Sequence, residues 1–214
     1  ALCLLLIACQ NNALWAWSGD SDLNTPIATG DEQKKLIATF SDKQNGAIVF
    51  NALDSKVYMQ HLDRHGRALL TAPGAEVSLA ANLRSLAVND FQVIANDDGD
   101  FLFVWEDFPG GVTPATVRVQ KITASGQAVW ASSTVLYQDK DWNTSFAIAA
   151  DHNGGLFVVW AAPPANGFSY DIYAQHVQAN GSLAWGADGK IIATSKKENK
   201  VRVLTDELGG IYVS

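Results

Sequence analysis

The 214-residue sequence contains only two cysteines, Cys3 and Cys9, and both lie among its first nine residues. The rest of the chain therefore offers no thiol for a disulfide, a thiolate metal site or a catalytic cysteine. Basic residues are also scarce, since 15 Lys and Arg stand against 22 Asp and Glu and give a net charge of −7. A nucleic-acid surface requires clustered positive charge, so the sequence predicts no nucleic-acid partner.

Long apolar runs are absent as well. The longest is residues 1–9, ALCLLLIAC, which is too short to span a bilayer but suits the end of a signal peptide. Its last four residues, Leu6–Cys9, resemble the signal of bacterial lipoproteins, in which the cysteine is lipidated and the preceding peptide removed. The resemblance implies a truncated lipoprotein signal peptide over residues 1–9, with Cys9 as the lipidation site. An ordinary secretory signal, or a start of translation upstream of a buried strand, is the alternative.

If Cys9 is lipidated, its acyl chains are the only expected contact with a membrane, and two or more chains give stable anchoring. The next residue, Gln10, is not Asp. By the sorting rule of that family, the resemblance implies a bacterial envelope protein at the outer membrane.

What the sequence does contain is a repeat. Phe50, Trp105 and Trp160 lie 55 residues apart, each at the end of an apolar run that follows a turn. Short apolar and β-branched runs separated by Asn, Asp and Gly are typical of strands joined by hairpins. The third strand of each copy, its turn glycine and the large residue four positions later recur in three sets. These are Val57–Leu62, Gly66 and Leu70; Val117–Ile122, Gly126 and Trp130; Ile172–Val177, Gly181 and Trp185.

Four strands in a unit of about this length are typical of a β-propeller. The sequence thus predicts an all-β propeller fragment over residues 10–214, with blades of about 55 residues. The predicted blades span 36–83, 90–138 and 145–194, and partial strands span 12–30 and 200–214. Each sheet would be buried on both faces, and the repeated tryptophans would belong to its core.

The third copy matches a pattern found in repeats of bacterial secreted and surface proteins, D-x-x-G-G, then W, then D-I-Y-A-Q, then G-x-x-x-W. The matching residues are Gly154, Gly155, Trp160, Asp171–Gln175, Gly181 and Trp185. This resemblance implies a propeller without implying an activity. The spacing of Gly126 to Trp130 and of Gly181 to Trp185 also resembles the tryptophan-docking repeat of quinoprotein-type propellers, which include envelope assembly lipoproteins.

Candidate site residues are those that break the repeat, because loops at one end of a blade carry function. Trp142 has no counterpart in the other copies. An aromatic side chain beside carboxylates suits a glycan, a cation or a peptide, while packing of Trp142 within its own loop is the alternative. The predicted ligand-binding residues are Asp107, Phe108, Asp139, Asp141, Trp142, Phe168 and Tyr170.

Other constellations favour structural roles. Asn96–Asp100 has the oxygen ligands of a calcium loop but lacks its later glycine and glutamate, which favours a turn. His61 and His176 share one repeat position, so we interpret them as structural residues. No cofactor, metal site or catalytic residue is predicted.

We expect a non-catalytic binding or scaffold propeller, with a glycan or protein ligand on its loop face. The first alternative is a glycosidase or lyase, for which Asp107, Asp139 and Asp141 are the nominated acids. The second is a quinoprotein-like envelope assembly lipoprotein.

Overall fold

The computed structural model describes twelve segments of the chain and consists of strands and turns. The segments are residues 14–16, 25–28, 34–42, 46–53, 56–71, 74–79, 91–107, 115–139, 145–162, 170–195, 200–206 and 208–214. They contain sixteen strands and no helix, and accordingly none of them forms a helix long and apolar enough to cross a membrane. The all-β class predicted from the sequence is confirmed.

The chain divides into two compact units, one formed by Ala1–Ser78 with Ala124–Gln127 and the other by Leu79–Thr123 with Ala128–Ser214. The first unit contains a two-stranded antiparallel sheet and a four-stranded one, which we call the first sheet. The smaller sheet pairs β1 (Leu14–Ala16) with β2 (Thr25–Ala28). The first sheet consists of β3 (Lys34–Ser41), β4 (Ala47–Leu53), β5 (Lys56–Leu62) and β6 (Ala75–Glu76), hydrogen-bonded in that order.

The second unit contains two four-stranded antiparallel sheets and a hairpin. The second sheet consists of β7 (Phe91–Ala95), β8 (Phe101–Asp107), β9 (Ala115–Ile122) and β10 (Thr134–Asp139). The third sheet consists of β11 (Phe146–Ala150), β12 (Leu156–Ala162), β13 (Tyr170–Val177) and β14 (Lys190–Ser195). The C-terminal hairpin pairs β15 (Val203–Thr205) with β16 (Ile211–Val213).

Within the second unit, the sheets pack face to face. One apolar core joins Leu102 and Val104 of the second sheet to Leu156 and Val158 of the third. A second core joins the opposite face of the third sheet to Val203 and other residues of the C-terminal hairpin. Because the third sheet is covered on both faces, β12 is apolar at every position rather than alternating between apolar and polar.

The pairing register corrects one feature of the repeat in the first sheet. Asn51, not Phe50, occupies the position of Trp105 and Trp160, because each of these three lies two residues beyond the partner of the glutamine in the third strand. The turn before β4 sets this register, since the Asp42 carboxylate accepts a 2.7 Å hydrogen bond from the Gly46 amide. Because Phe50 is aromatic like Trp105 and Trp160, the alignment of the repeats by sequence was one residue out of register in the first sheet.

Candidate functional site

The structure describes only part of the predicted ligand site. Asp107 and Asp139 end the strands on either side of the start of β9, where they pair with Thr116 and Ala115. They therefore lie at one end of the second sheet, which we call its loop end. Tyr170 is described as well. The remaining predicted ligand-binding residues and the lipidation site lie outside the described residues: Phe108, Asp141, Trp142, Phe168 and Cys9.

The Asp107 carboxylate is held in an ion pair at this loop end. Its Oδ2 accepts a 2.9 Å hydrogen bond from Arg118 Nε, and Arg118 Nη1 lies 3.4 Å from Ser133 Oγ. The Asp107 side chain is 11% exposed and that of Arg118 is 30% exposed. A charge-assisted contact of this length between partly buried groups fixes the carboxylate towards Arg118.

Tyr170 lies at the corresponding end of the third sheet. It begins β13, pairs with Ser195 of β14, and packs against the core between the third sheet and the C-terminal hairpin. Its backbone position is that of Ala115 in the second sheet, 55 residues earlier. The structure thus places Asp107, Asp139 and Tyr170 at equivalent ends of two neighbouring sheets.

A repeated acidic or amide residue organises the opposite end of each sheet, which we call the turn end. Its side-chain Oδ1 accepts a hydrogen bond of 2.7–2.9 Å from the backbone N–H four residues later, and its own backbone N–H donates to the backbone carbonyl of that same residue. These are two bonds closing one short loop, which satisfies backbone groups that the hairpin would otherwise leave unpaired. The residues are Asp42, Asn96, Asp151 and Asp206.

The histidines of the third strands contact this turn within their own sheets. His61 Nε2 lies 2.8 Å from Asp42 Oδ2, and His176 Nε2 lies 2.8 Å from Asp151 Oδ2. Burial alone would raise the pKa of the Asp151 carboxyl, but hydrogen bonds from His176 and from backbone amides lower the pKa overall. These pairs position the turns.

In the second sheet a lysine takes the histidine's place. Lys121 is 6% exposed, and its Nζ lies 3.4 Å from both Asp98 Oδ2 and Asp100 Oδ2. Within the described segments, no group of three or more metal-ligating side chains occurs. Two carboxylate oxygens of the loop Asn96–Asp100, Asp98 Oδ2 and Asp100 Oδ2, therefore face the ammonium group of Lys121.

Sequence analysis missed the role of three buried glutamines. Gln120 Nε2 donates a 3.1 Å hydrogen bond to the Trp130 carbonyl, and its Oε1 accepts hydrogen bonds from the amides of Trp130 and Lys121. Each glutamine thus clamps the backbone that leads to the fourth strand. The constant spacing of ten residues from the glutamine to the clamped residue was the available signal. The clamped pairs are Gln60 with Leu70, Gln120 with Trp130 and Gln175 with Trp185.

Trp130 then joins the second sheet to the third. Its ring lies against Gly181, where an added Cβ would come within 2.9 Å of Trp130 Cδ2. Its Nε1 donates a 3.0 Å hydrogen bond to the Ala179 carbonyl in the same turn. The equivalent residue of the next repeat, Trp185, is only half-buried, so repeated position alone does not determine burial.

A stack of three rings occupies the other part of this interface. Trp160 is 3% exposed and lies between Tyr137 of β10 and Tyr173 of β13, at centroid distances of 4.5 and 5.6 Å. The rings are nearly parallel, with interplanar angles of 8° and 12°. Trp160 is therefore a packing residue, as predicted, and is not available as a platform for a ligand.

No protein-family model matches the chain, and no curated protein is detectably similar to it in sequence. Two solved structures from Bacteroides thetaiotaomicron superpose partly on the chain. An endo-1,4-β-xylanase superposes with a TM-score of 0.46 at 8% identity over 86% of this chain, and the chain spans 65% of that protein's length. An endo-arabinase superposes with a TM-score of 0.41 at 9% identity over 82% of this chain and 67% of its own.

Proposed function

We propose that the sheets are blades of a β-propeller and that the protein is a non-catalytic binding or scaffold module at a bacterial envelope. The first, second and third sheets are antiparallel meanders with the same register, and in the second unit consecutive sheets share apolar cores. Such stacking is how propeller blades bury their faces. The ligand would be a glycan or a protein bound by residues at the loop ends.

The observation that carries the non-catalytic proposal is that the described charged groups contact other groups of the protein. Asp107 Oδ2, the best described of the nominated acids, is 2.9 Å from Arg118 Nε rather than facing an open cleft. The buried Asp151 and Lys121 likewise contact side chains and backbone of the repeated turns. A glycosidase instead needs two carboxyl groups directed at the scissile bond.

A pair of tryptophan variants tests the binding site. Trp142→Ala should abolish binding on glycan or peptide arrays while leaving the melting temperature nearly unchanged, because Trp142 has no repeat counterpart. Trp160→Ala removes the central ring of the stack and should destabilise the protein by roughly 3–5 kcal/mol. If Trp142→Ala unfolds the protein as severely as Trp160→Ala, then Trp142 packs in a core and the proposed site fails.

The envelope location rests on the lipoprotein-type signal that ends at Cys9. Cys9→Ser should eliminate incorporation of labelled fatty acid and move the protein from the membrane fraction to the soluble fraction. Cys3→Ser is the matched control, since Cys3 lies inside the peptide that processing would remove. Membrane association that survives Cys9→Ser would contradict the anchor.

An enzyme acting on a polysaccharide is the second candidate, and it would draw its acids from the loop end of the second sheet. Asp107 and Asp139 lie two strands apart, which places their backbones about 10 Å from each other. Their partners Thr116 and Ala115 are consecutive in β9, so the two acids lie on opposite faces of the sheet. A glycosidase pair would therefore require another carboxyl group, such as that of the third nominated acid, Asp141, beside one of them. The two solved structures compared above belong by name to this class of enzyme.

A hydrolysis assay separates the two candidates. A panel of polysaccharides that includes xylan and arabinan would be tested for release of reducing ends, with Asp139→Asn as the variant and Asp63→Asn as a control in an exposed turn. The binding proposal predicts no release by any form. Release by the parent chain that Asp139→Asn abolishes and Asp63→Asn preserves would establish the enzyme.

An envelope-assembly scaffold is a narrower form of the first proposal. The contact of Trp130 with Gly181 and the Ala179 carbonyl favours the tryptophan-docking resemblance of the sequence. Cells that lack the protein should then accumulate less folded outer-membrane protein. Unchanged levels of these proteins would count against this form and leave the binding module itself untouched.

A further inference from the structure

The C-terminal hairpin exposes one of its two apolar faces. Leu204 of β15 and Tyr212 of β16 are paired across the hairpin, and each is 70% exposed. The neighbouring pair, Val203 and Val213, contributes to the core shared with the third sheet. The hairpin is therefore packed on one side and apolar but open on the other.

The same two positions are covered in the preceding sheets. Leu204 and Tyr212 correspond, at intervals of 55 residues, to Ala149 and Phe157 of the third sheet and to Ile94 and Leu102 of the second. Leu102 is fully buried in the core that joins the second sheet to the third. Ala149 packs in the core that joins the third sheet to the hairpin, and Phe157 is 3% exposed.

Trp185 lies on the inner side of the hairpin and does not belong to this open face. It packs against the core between the third sheet and the hairpin, and its ring centroid is 5.8 Å from that of Phe157. Trp130 has the same place in the core between the second and third sheets. Consecutive sheets thus repeat one interface, and the open face of the hairpin is the next position at which it could form.

We propose that this open face, defined by Leu204 and Tyr212, binds a further four-stranded sheet of the same repeat. The incoming sheet would cover Leu204 and Tyr212 with the apolar residues of its second strand. The surface continues the interface that the second sheet makes with the third, and that interface identifies the chemistry of the occupant. The inference concerns an interaction surface and holds for either candidate function.

The test extends the repeat in phase. Residues 105–195 appended after Ser214 continue the repeat in phase, with 105–139 completing the sheet that the hairpin begins and 145–195 supplying one further four-stranded sheet. The chain extended by residues 105–139 alone is the reference. Hydrogen exchange of the backbone amides in 203–213 should be slower by at least about tenfold in the longer extension than in the shorter one, because a covered sheet opens less often than an exposed one.

Two substitutions identify the surface. Leu204→Asp places a charge in the proposed interface and should remove the protection that the extension confers. Leu208→Asp is the matched control, since Leu208 is 92% exposed in the hairpin turn, off the paired strands, and protection should persist. Equal exchange in the longer and shorter extensions, or protection that survives Leu204→Asp, would overturn the proposal. So would concentration-dependent protection and dimerisation of the unextended chain through Leu204, which would make the occupant a second copy.

Discussion

Replacing Gln120 by methionine tests whether the buried glutamines hold the fourth strands. Methionine has nearly the same length and volume but cannot take part in the three hydrogen bonds that Gln120 makes with the backbone of Trp130 and Lys121. Gln120 is 3% exposed, so water molecules cannot easily replace its side chain as the hydrogen-bond partner of these backbone groups. Backbone groups left unpaired in such a place cost about 1–3 kcal/mol each.

Because partial rearrangement will satisfy some of these groups, we expect Gln120→Met to lower the free energy of unfolding by roughly 3–5 kcal/mol. Urea denaturation followed by tryptophan fluorescence measures this change. Hydrogen exchange of the Trp130 amide, which should accelerate more than amides elsewhere in the second sheet, localises it.

Gln138→Met is the control, because Gln138 is an exposed residue of β10 in the same sheet. Substitution at exposed positions of this kind usually changes stability by less than about 0.5 kcal/mol. If Gln120→Met is no more destabilising than Gln138→Met, or if the Trp130 amide exchanges no faster, the clamp does not stabilise the sheet.

Two further predictions concern the contact between sheets and the turn acids. Gly181→Ala should destabilise the protein by about 1–3 kcal/mol more than Gly99→Ala, as measured by thermal unfolding. Both glycines have positive φ, but only at Gly181 would an added Cβ contact Trp130. Equal effects would show that the Trp130 ring can move aside without cost. Because the pKa of Asp151 is lowered, its ionised carboxylate stabilises the fold above the ordinary pKa of 3.8, and this stabilisation is lost as the pH falls below that value. The free energy of unfolding should therefore decline less steeply below about pH 4 in Asp151→Asn than in the parent chain. Parallel pH profiles would contradict a role for the bond to His176.

The local elements followed from the sequence. Runs such as Leu156–Trp160 are apolar and β-branched throughout, and the Asn, Asp and Gly residues between them favour hairpins, so strand order and antiparallel pairing needed no tertiary information. Register in the first sheet did need it. A side-chain bond within the Asp42 turn decides which residue of β4 faces which neighbour, and an adjacent phenylalanine conceals the shift.

The contacts that define the candidate site also depend on tertiary structure. Asp107 and Arg118 lie on the adjacent strands β8 and β9, and it is the exact register of that pair, with Asp107 opposite Thr116, that brings their charges together. Sequence comparison could single out Asp107 as an acid near a loop, but it could not show that a guanidinium already binds this carboxylate.

Trp130 and Trp185 show where sequence information ends. Both follow a turn glycine by four residues and both are clamped by a glutamine, so local sequence gives them the same backbone position. Their exposure differs because burial depends on the neighbouring sheet. Trp130 meets Gly181 of the third sheet and is 9% exposed, whereas Trp185 is half-buried at the core between the third sheet and the C-terminal hairpin. The repeat determined the positions of these rings, and packing between sheets determined which of them is part of a core.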